Sequence, residues 1–276
     1  MRGGAAAVMY EPGSEYGQDR LEYVYALPLA QAEAFAEGVA EQLGLDPHYD
    51  SEDEDRPKRY VTTLYFDTAN HQIAKACAQG DNVKLRAREY YAPAGISGVY
   101  REANLWLEVK RREGARTNKL RCNILARELG DLLGEGTLQQ GSLQAALRRW
   151  GDAGERVIQE ILGLMERVNG PLRPDSIAHY RRRAWQDNGN VTRVTLDTEL
   201  AFYDPPRKLV LDYGASLVEV IEYSDPLFEF EHAIVEAKIH GPTPRWLEAL
   251  LERVDAIEHR AFSKFLMASK CVTAEL

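Results

Sequence analysis

Basic residues recur at every second position in several short runs of this 276-residue chain. In NVKLRAREYY, Lys84, Arg86 and Arg88 alternate with Val83, Leu85 and Ala87. In LWLEVKRR, Glu108, Lys110 and Arg112 alternate with Leu105, Leu107 and Val109, and Lys119 and Arg121 flank Leu120. Further along, Arg193, Thr195 and Asp197 alternate with Val194 and Leu196, and Glu236 and Lys238 alternate with Val235 and Ala237. A spacing of two puts side chains on one face of a strand, so each run has a charged face and an apolar face. Arg presents a planar fork of donors that fits phosphate oxygens in pairs, and Lys adds a mobile point charge. The two Glu-x-Lys pairs set carboxylates among the cations. Hard oxygen ligands of that kind suit Mg²⁺ or Mn²⁺ bridging phosphate oxygens rather than zinc.

Such strands have two readings. One is a set of solvated outer faces on an antiparallel sheet. The other is a closed barrel whose charged faces line a wet lumen while its apolar faces pack beneath helices. Repeated Arg-x-Arg and Glu-x-Lys, with little Ser, Thr, Asn or Gln between them, favours the lumen. Like charges there would repel unless a polyanion filled it, so the expected ligand is a phosphate chain with a divalent cation.

Charge distribution supports an internal rather than an external anion site. The net charge is −9, yet residues 81–121 hold ten Lys/Arg against five Asp/Glu, and 179–193 hold four Arg against one Asp. Acid gathers elsewhere, as in DSEDED at 50–55. A basic interior in an acidic shell binds a small anion and repels nucleic acid. With 45% hydrophobic and 28% charged residues the composition is globular, and no apolar run is long enough to span a bilayer. The chain reads as a flexible lead-in over 1–19, without a secretory signal, followed by a single domain over 20–276. Three scattered cysteines (Cys77, Cys122, Cys271) form no metal or disulfide pattern and fit reduced thiols in the cytoplasm.

Around the charged runs, β-branched and aromatic content predicts strands near 20–27, 59–66, 82–90, 104–112, 118–123, 178–186, 191–198, 207–213, 216–223 and 233–239. Helical spacing predicts helices near 29–43, 69–79, 124–133, 140–168, 243–254 and 259–270. In 140–168 the stripe Leu143, Leu147, Trp150, Ile158, Ile161, Met165 and Val168 reads as core packing. The expected class is α+β, sheet-dominant. Arg181, Arg182 and Arg183 must split between two faces, with Arg182 opposite its neighbours. His71 is expected on a helix surface and His179 at a strand end or core edge. GEGTLQQGS at 134–142 lacks the Lys-Ser/Thr that a phosphate-binding loop requires.

In order along the chain, RYVTTLYFDT (59–68), KLRAREYY (84–91), LWLEVKRR (105–112), NKLR (118–121), HYRRRAW (179–185), RVTLD (193–197), VEAK (235–238) and FSKF (262–265) resemble the polymerase domain of the vacuolar transporter chaperone (VTC) family. That family lies within the triphosphate tunnel (CYTH-like) superfamily. The resemblance implies a closed eight-stranded antiparallel barrel with flanking helices. It also implies transfer of the γ-phosphate of ATP onto polyphosphate with manganese or magnesium. Carried over, Arg86, Arg88, Lys110, Lys119, Arg182 and Lys264 take the catalytic phosphate-binding positions and Glu236 the metal-binding one. Lys84, Arg121, Arg193, Lys238 and Glu108 are supporting substrate-binding positions. The implied partners are ATP and polyphosphate or tripolyphosphate. With no SPX domain or membrane helix in the sequence, the chain resembles the stand-alone soluble versions. One position departs: the family's first strand reads Glu-x-Lys-Tyr, whereas here Glu22-Tyr23-Val24-Tyr25 replaces the cation with Val24.

Two alternatives share these residues. A hydrolase would cut tripolyphosphate or a nucleoside triphosphate, and commonly carries Glu-x-Glu-x-Lys in its first strand, where this chain has Arg20 at the first Glu position. A non-catalytic module would bind phosphate chains without turnover.

Overall fold

The computed structural model describes residues 20–46, 59–91, 104–113, 116–133, 136–189, 191–205, 217, 221, 224–260 and 262–274. The expected lead-in at 1–19, the acidic run at 50–55 and the strand at 207–213 lie outside these residues. In chain order the elements are β1 (Arg20–Pro28), α1 (Ala32–Ala40), β2 (Gly44–Leu45), β3 (Arg59–Asp67), α2 (Gln72–Ala78), β4 (Asn82–Tyr91), β5 (Asn104–Glu113) and β6 (Arg116–Leu125). They continue with α3 (Ala126–Leu133), α4 (Gln140–Val168), β7 (Arg173–Gln186), β8 (Thr192–Tyr203), β9 (Phe228–Glu229), β10 (His232–His240), α5 (Arg245–Arg253), β11 (Ile257–Glu258) and α6 (Lys264–Thr273). All described strand pairs are antiparallel.

The expected closed eight-stranded barrel is not what forms. The eleven strands make one open sheet in the order β11-β1-β10-β8-β7-β3-β4-β5-β6, with β2 beside β7 and β9 beside β8. Among the described residues no ladder joins β6 to β1. The reason lies at the outer edge of β1, where Tyr25 and Ala26 pair with Glu258 and Ile257. The His259 N–H also donates to the Val24 carbonyl at 2.7 Å. The segment leading into α6 therefore occupies the outer edge of β1 at Val24–Ala26, part of the edge that a closing strand would pair with. The sheet is nonetheless rolled. Lys110 on β5 lies 3.8 Å from Glu22 on β1, although six places separate their strands in the sheet. Rolling turns the charged faces inward.

The apolar faces pack outward beneath helices. Leu85, Leu107, Val109, Cys122 and Ile124 are buried in one cluster with Leu129 and Leu132 of α3 and Ile158 and Ile161 of α4. Val194, Leu196, Val235 and Ala237 are buried in a second with Phe35 and Val39 of α1 and Leu247, Leu250 and Leu251 of α5. Each fully buried side chain of this size contributes about 1.5–3 kcal/mol, which fixes the register of every strand. The α1–α5 approach is close: a Cβ on Gly38 would lie 2.6 Å from Leu250 Cδ1. In α4 the helical path breaks at Gly151 (φ 61°, ψ −162°), a conformation open to glycine. Ile158 and Ile161 of the anticipated stripe are fully buried in the first cluster and Met165 and Val168 pack against that cluster, while the side chains of Leu143, Leu147 and Trp150 lie outside the described set.

One further expectation fails. Leu217 and Ile221, within the segment read as a strand at 216–223, are helical and buried. Their spacing of four is the helical period, and the buried Glu89 carboxylate accepts the Leu217 N–H at 2.7 Å.

Candidate functional site

Helix α6 packs against β7, β8 and α2. Ser263 precedes it in extended conformation and accepts the Leu266 N–H at 3.3 Å, a side-chain cap that starts the helix. Phe265 then packs against Tyr65 of β3 with ring centroids 5.1 Å apart. This anchoring brings Lys264 into the interior, where its Nζ lies 2.7 Å from both Asp197 and Glu236. Arg182 on β7 grips Asp197 with two hydrogen bonds of 2.6 Å and lies 3.6 Å from Glu236. Arg182, Lys264 and Asp197 are all buried. Burial alone would push the Glu236 carboxyl up, but the Lys264 ammonium and the Arg182 guanidinium outweigh it and hold it well below the usual carboxylate range. Lys264 is raised above its ordinary value against its own burial by Asp197 and Glu236.

Across the interior stand β4, β5 and β6. Arg86 donates to Glu108 at 2.7 Å, and Glu108 is fully buried. Burial would raise that carboxyl, but Arg86, Arg88 and Lys119 hold it far down. Arg88 is 7% exposed, and its direct partners are neutral: Thr63 Oγ1 at 3.1 Å and the Tyr90 hydroxyl at 3.3 Å. Lys84 likewise donates to a hydroxyl, Ser263 Oγ, at 2.8 Å, and burial lowers its pKa. Lys110 is pushed down to about 8 by burial, which outweighs Glu22. Lys119 is its cross-strand partner, and Lys238 sits between Glu22 and Arg193 in register.

Of the residues singled out in the sequence, Lys84, Arg86, Arg88, Glu108, Lys110, Lys119, Arg182, Glu236, Lys238 and Lys264 share this interior. Arg193 is drawn to Asp46, just beyond β2, by a 2.6 Å contact. Arg121 is exposed near the sheet edge, stacked 4.4 Å from the Trp106 ring. The anticipated mutual repulsion is relieved within the protein, because Glu22, Glu108, Asp197 and Glu236 lie among the cations. The flanking Arg181 and Arg183 pair outward with Glu199 and Glu33.

Sequence reasoning passed over Tyr180. It shares a face with Arg182, is fully buried, and has Arg182 and Lys264 over its ring at 5.1 and 5.0 Å. The period-two rule would have found it. Its hydroxyl, Glu108 Oε1 and Thr195 Oγ1 are buried without a hydrogen-bond partner among the described residues. Thr195 is the cross-strand partner of Glu236, whose Oε2 takes no direct hydrogen bond among the described residues. That carboxylate oxygen and the orphaned hydroxyl belong to residues directly opposed on neighbouring strands, and hard oxygens of this kind are the donors that Mg²⁺ or Mn²⁺ takes.

Two histidines differ from expectation or sharpen it. His71 is not a helix-surface residue: it precedes α2 and bonds Asp175 at 2.7 Å, near Asp67. Asp67 already accepts backbone N–H groups from Thr68, Ile73 and Ala74, which makes it the cap of α2. His179 faces away from the interior, bonded to Thr62 and stacked on Tyr60, and burial pushes its pKa down to about 4. All three cysteines are buried free thiols, and burial pushes Cys77 up to about 11 and Cys122 to about 12. No described helix is long and apolar enough to cross a membrane.

Comparison with known proteins gives one family: the VTC domain matches residues 19–273. No curated protein matches. Among solved structures, the chain is similar to the PH1819 protein from Pyrococcus horikoshii OT3, at 11% identity and a TM-score of 0.39, over 89% of this chain and 97% of that one. It is similar at 10% identity and a TM-score of 0.39 to a chain of the Schizosaccharomyces pombe Mediator head module, over 86% of this chain and 92% of that one.

Proposed function

The chain belongs to the VTC domain family, and on that premise we propose that it transfers the γ-phosphate of ATP to a growing polyphosphate chain on the interior face of its sheet. The observation that carries this reading is a pair of cations with no direct carboxylate partner among the described residues. Among the described residues Arg88 and Lys84 hydrogen-bond to hydroxyls, and the Glu236 charge acts on Lys84. Phosphoryl transfer needs positioning and charge stabilisation more than a base. Arg88, fixed by Thr63 and Tyr90, is preorganised to meet charge that develops on a phosphoryl group. Lys84 and Lys110 would hold the neighbouring phosphates, and Lys264 and Arg182 would face the reacting centre beside the Tyr180 hydroxyl. Mn²⁺ or Mg²⁺, held by Glu236 with Thr195 alongside, would neutralise phosphate oxygens.

One observation favours a second reading, a phosphate-binding module without turnover. Val24 lies opposite Glu236 in register and packs against the apolar cluster, where the family pattern has a cation. Incubation of the purified protein with ATP and Mn²⁺ decides between them. Chain growth with ADP release, lost in Glu236→Gln, is expected. Phosphate release from tripolyphosphate without growth would instead select a hydrolase, and tight binding with no turnover the module.

A further inference from the structure

Besides its cations, the inner face of β5 and β6 carries an aromatic group that no phosphate requires. Trp106 lies on the same face as Glu108, and its cross-strand partners are Arg88 on β4 and Asn123 on β6. The Arg121 guanidinium stacks over its ring at 4.4 Å. Arg121 makes no ion pair among the described residues, and Asn123 is exposed with no side-chain hydrogen bond among them. An exposed guanidinium on a half-buried indole is a stacking surface, since bases stack on aromatic rings and on Arg planes alike. A neighbouring amide offers the donor and acceptor pair that reads an adenine edge.

We infer that Trp106, Arg121 and Asn123 form a purine platform that distinguishes a nucleoside triphosphate from inorganic phosphate chains. This rests on the phosphate-binding reading of the interior. Directly opposed side chains have Cβ atoms roughly 4.5–5.5 Å apart. Trp106 is therefore one strand from Arg88, whose direct partners are hydroxyls, and a base stacked here would direct its phosphates toward Arg88 and Arg86. The platform sits on β5 and β6, the last two strands at that end of the sheet.

Titration of the full chain with ATP and, separately, with inorganic tripolyphosphate tests this. Trp106→Ala should weaken ATP binding about ten- to a hundred-fold, as expected for one lost stacking contact. It should leave tripolyphosphate within about twofold, and Trp106→Tyr should restore most of the loss. Asn123→Ala should reduce preference for ATP over GTP without touching tripolyphosphate. Equal losses for both ligands in Trp106→Ala, or no loss for either, overturn the platform. Should the unaltered protein bind tripolyphosphate but not ATP, the platform fails while the phosphate site stands. Should it bind neither, both fail.

Discussion

The two walls of the interior hold cations in different ways. On the wall formed by β7, β8 and β10 with α6, Arg182 and Lys264 are locked to Asp197 and Glu236 in a buried network with contacts of 2.6–2.7 Å. On the wall formed by β4, β5 and β6, Glu108 and the more distant Glu22 and Glu236 offset Lys84, Arg86, Arg88 and Lys110, and hydroxyls hold two of the four. A buried network that satisfies itself resists disruption but gains less from a new anion. Cations held by neutral groups lose little stability when replaced and gain most when phosphate arrives. The first wall organises the site; the second is where affinity should reside.

Breaking the network should give the largest effect. Arg182→Met leaves Asp197 buried with only Lys264, and should destabilise the fold by about 3–5 kcal/mol in urea denaturation. A loss under about 1 kcal/mol would show that the two walls are alike. Arg88→Met should do the reverse. Tripolyphosphate binding should weaken about ten- to a hundred-fold, in keeping with about 1.5–3 kcal/mol for a charged hydrogen bond, while thermal stability changes little. Calorimetry with parallel melting curves checks both halves.

A smaller, pH-dependent effect sharpens the comparison. Burial sets Lys110 at about 8, so its charge is lost as pH rises through that value. An anion favours the protonated form, so affinity for tripolyphosphate should fall between pH 7 and 9, by about tenfold for each pKa unit that binding raises Lys110. Lys110→Arg, charged throughout, should flatten that profile. A fall of the same size in the Arg variant would assign the titration to another group.

The strand alternation was legible because a period of two leaves no choice. Once Leu85, Leu107 and Val194 are buried under helices, Arg86, Glu108 and Arg193 must face the other way. Most of the charged face could therefore be named residue by residue, and Tyr180 could have been added by the same rule. Edges were not legible. Ile257 and Glu258 form only a two-residue strand, too short to leave a periodic signal, yet they take the pairing positions of β1 that a closed barrel would use. Charge balance was hidden as well. Asp197 meets Arg182 across a strand pair, but Lys264 reaches both Asp197 and Glu236 only because α6 is anchored by Ser263 and Phe265.

Sequence alone thus determined which side chains share a face, since covalent geometry and burial enforce alternation locally. Tertiary structure decided whether the sheet closes, which carboxylates quiet which cations, and where Arg88 and Lys84 are left to hydroxyls. Those outcomes depend on segments far apart in the chain, brought together by the rolling of the sheet and the docking of α6.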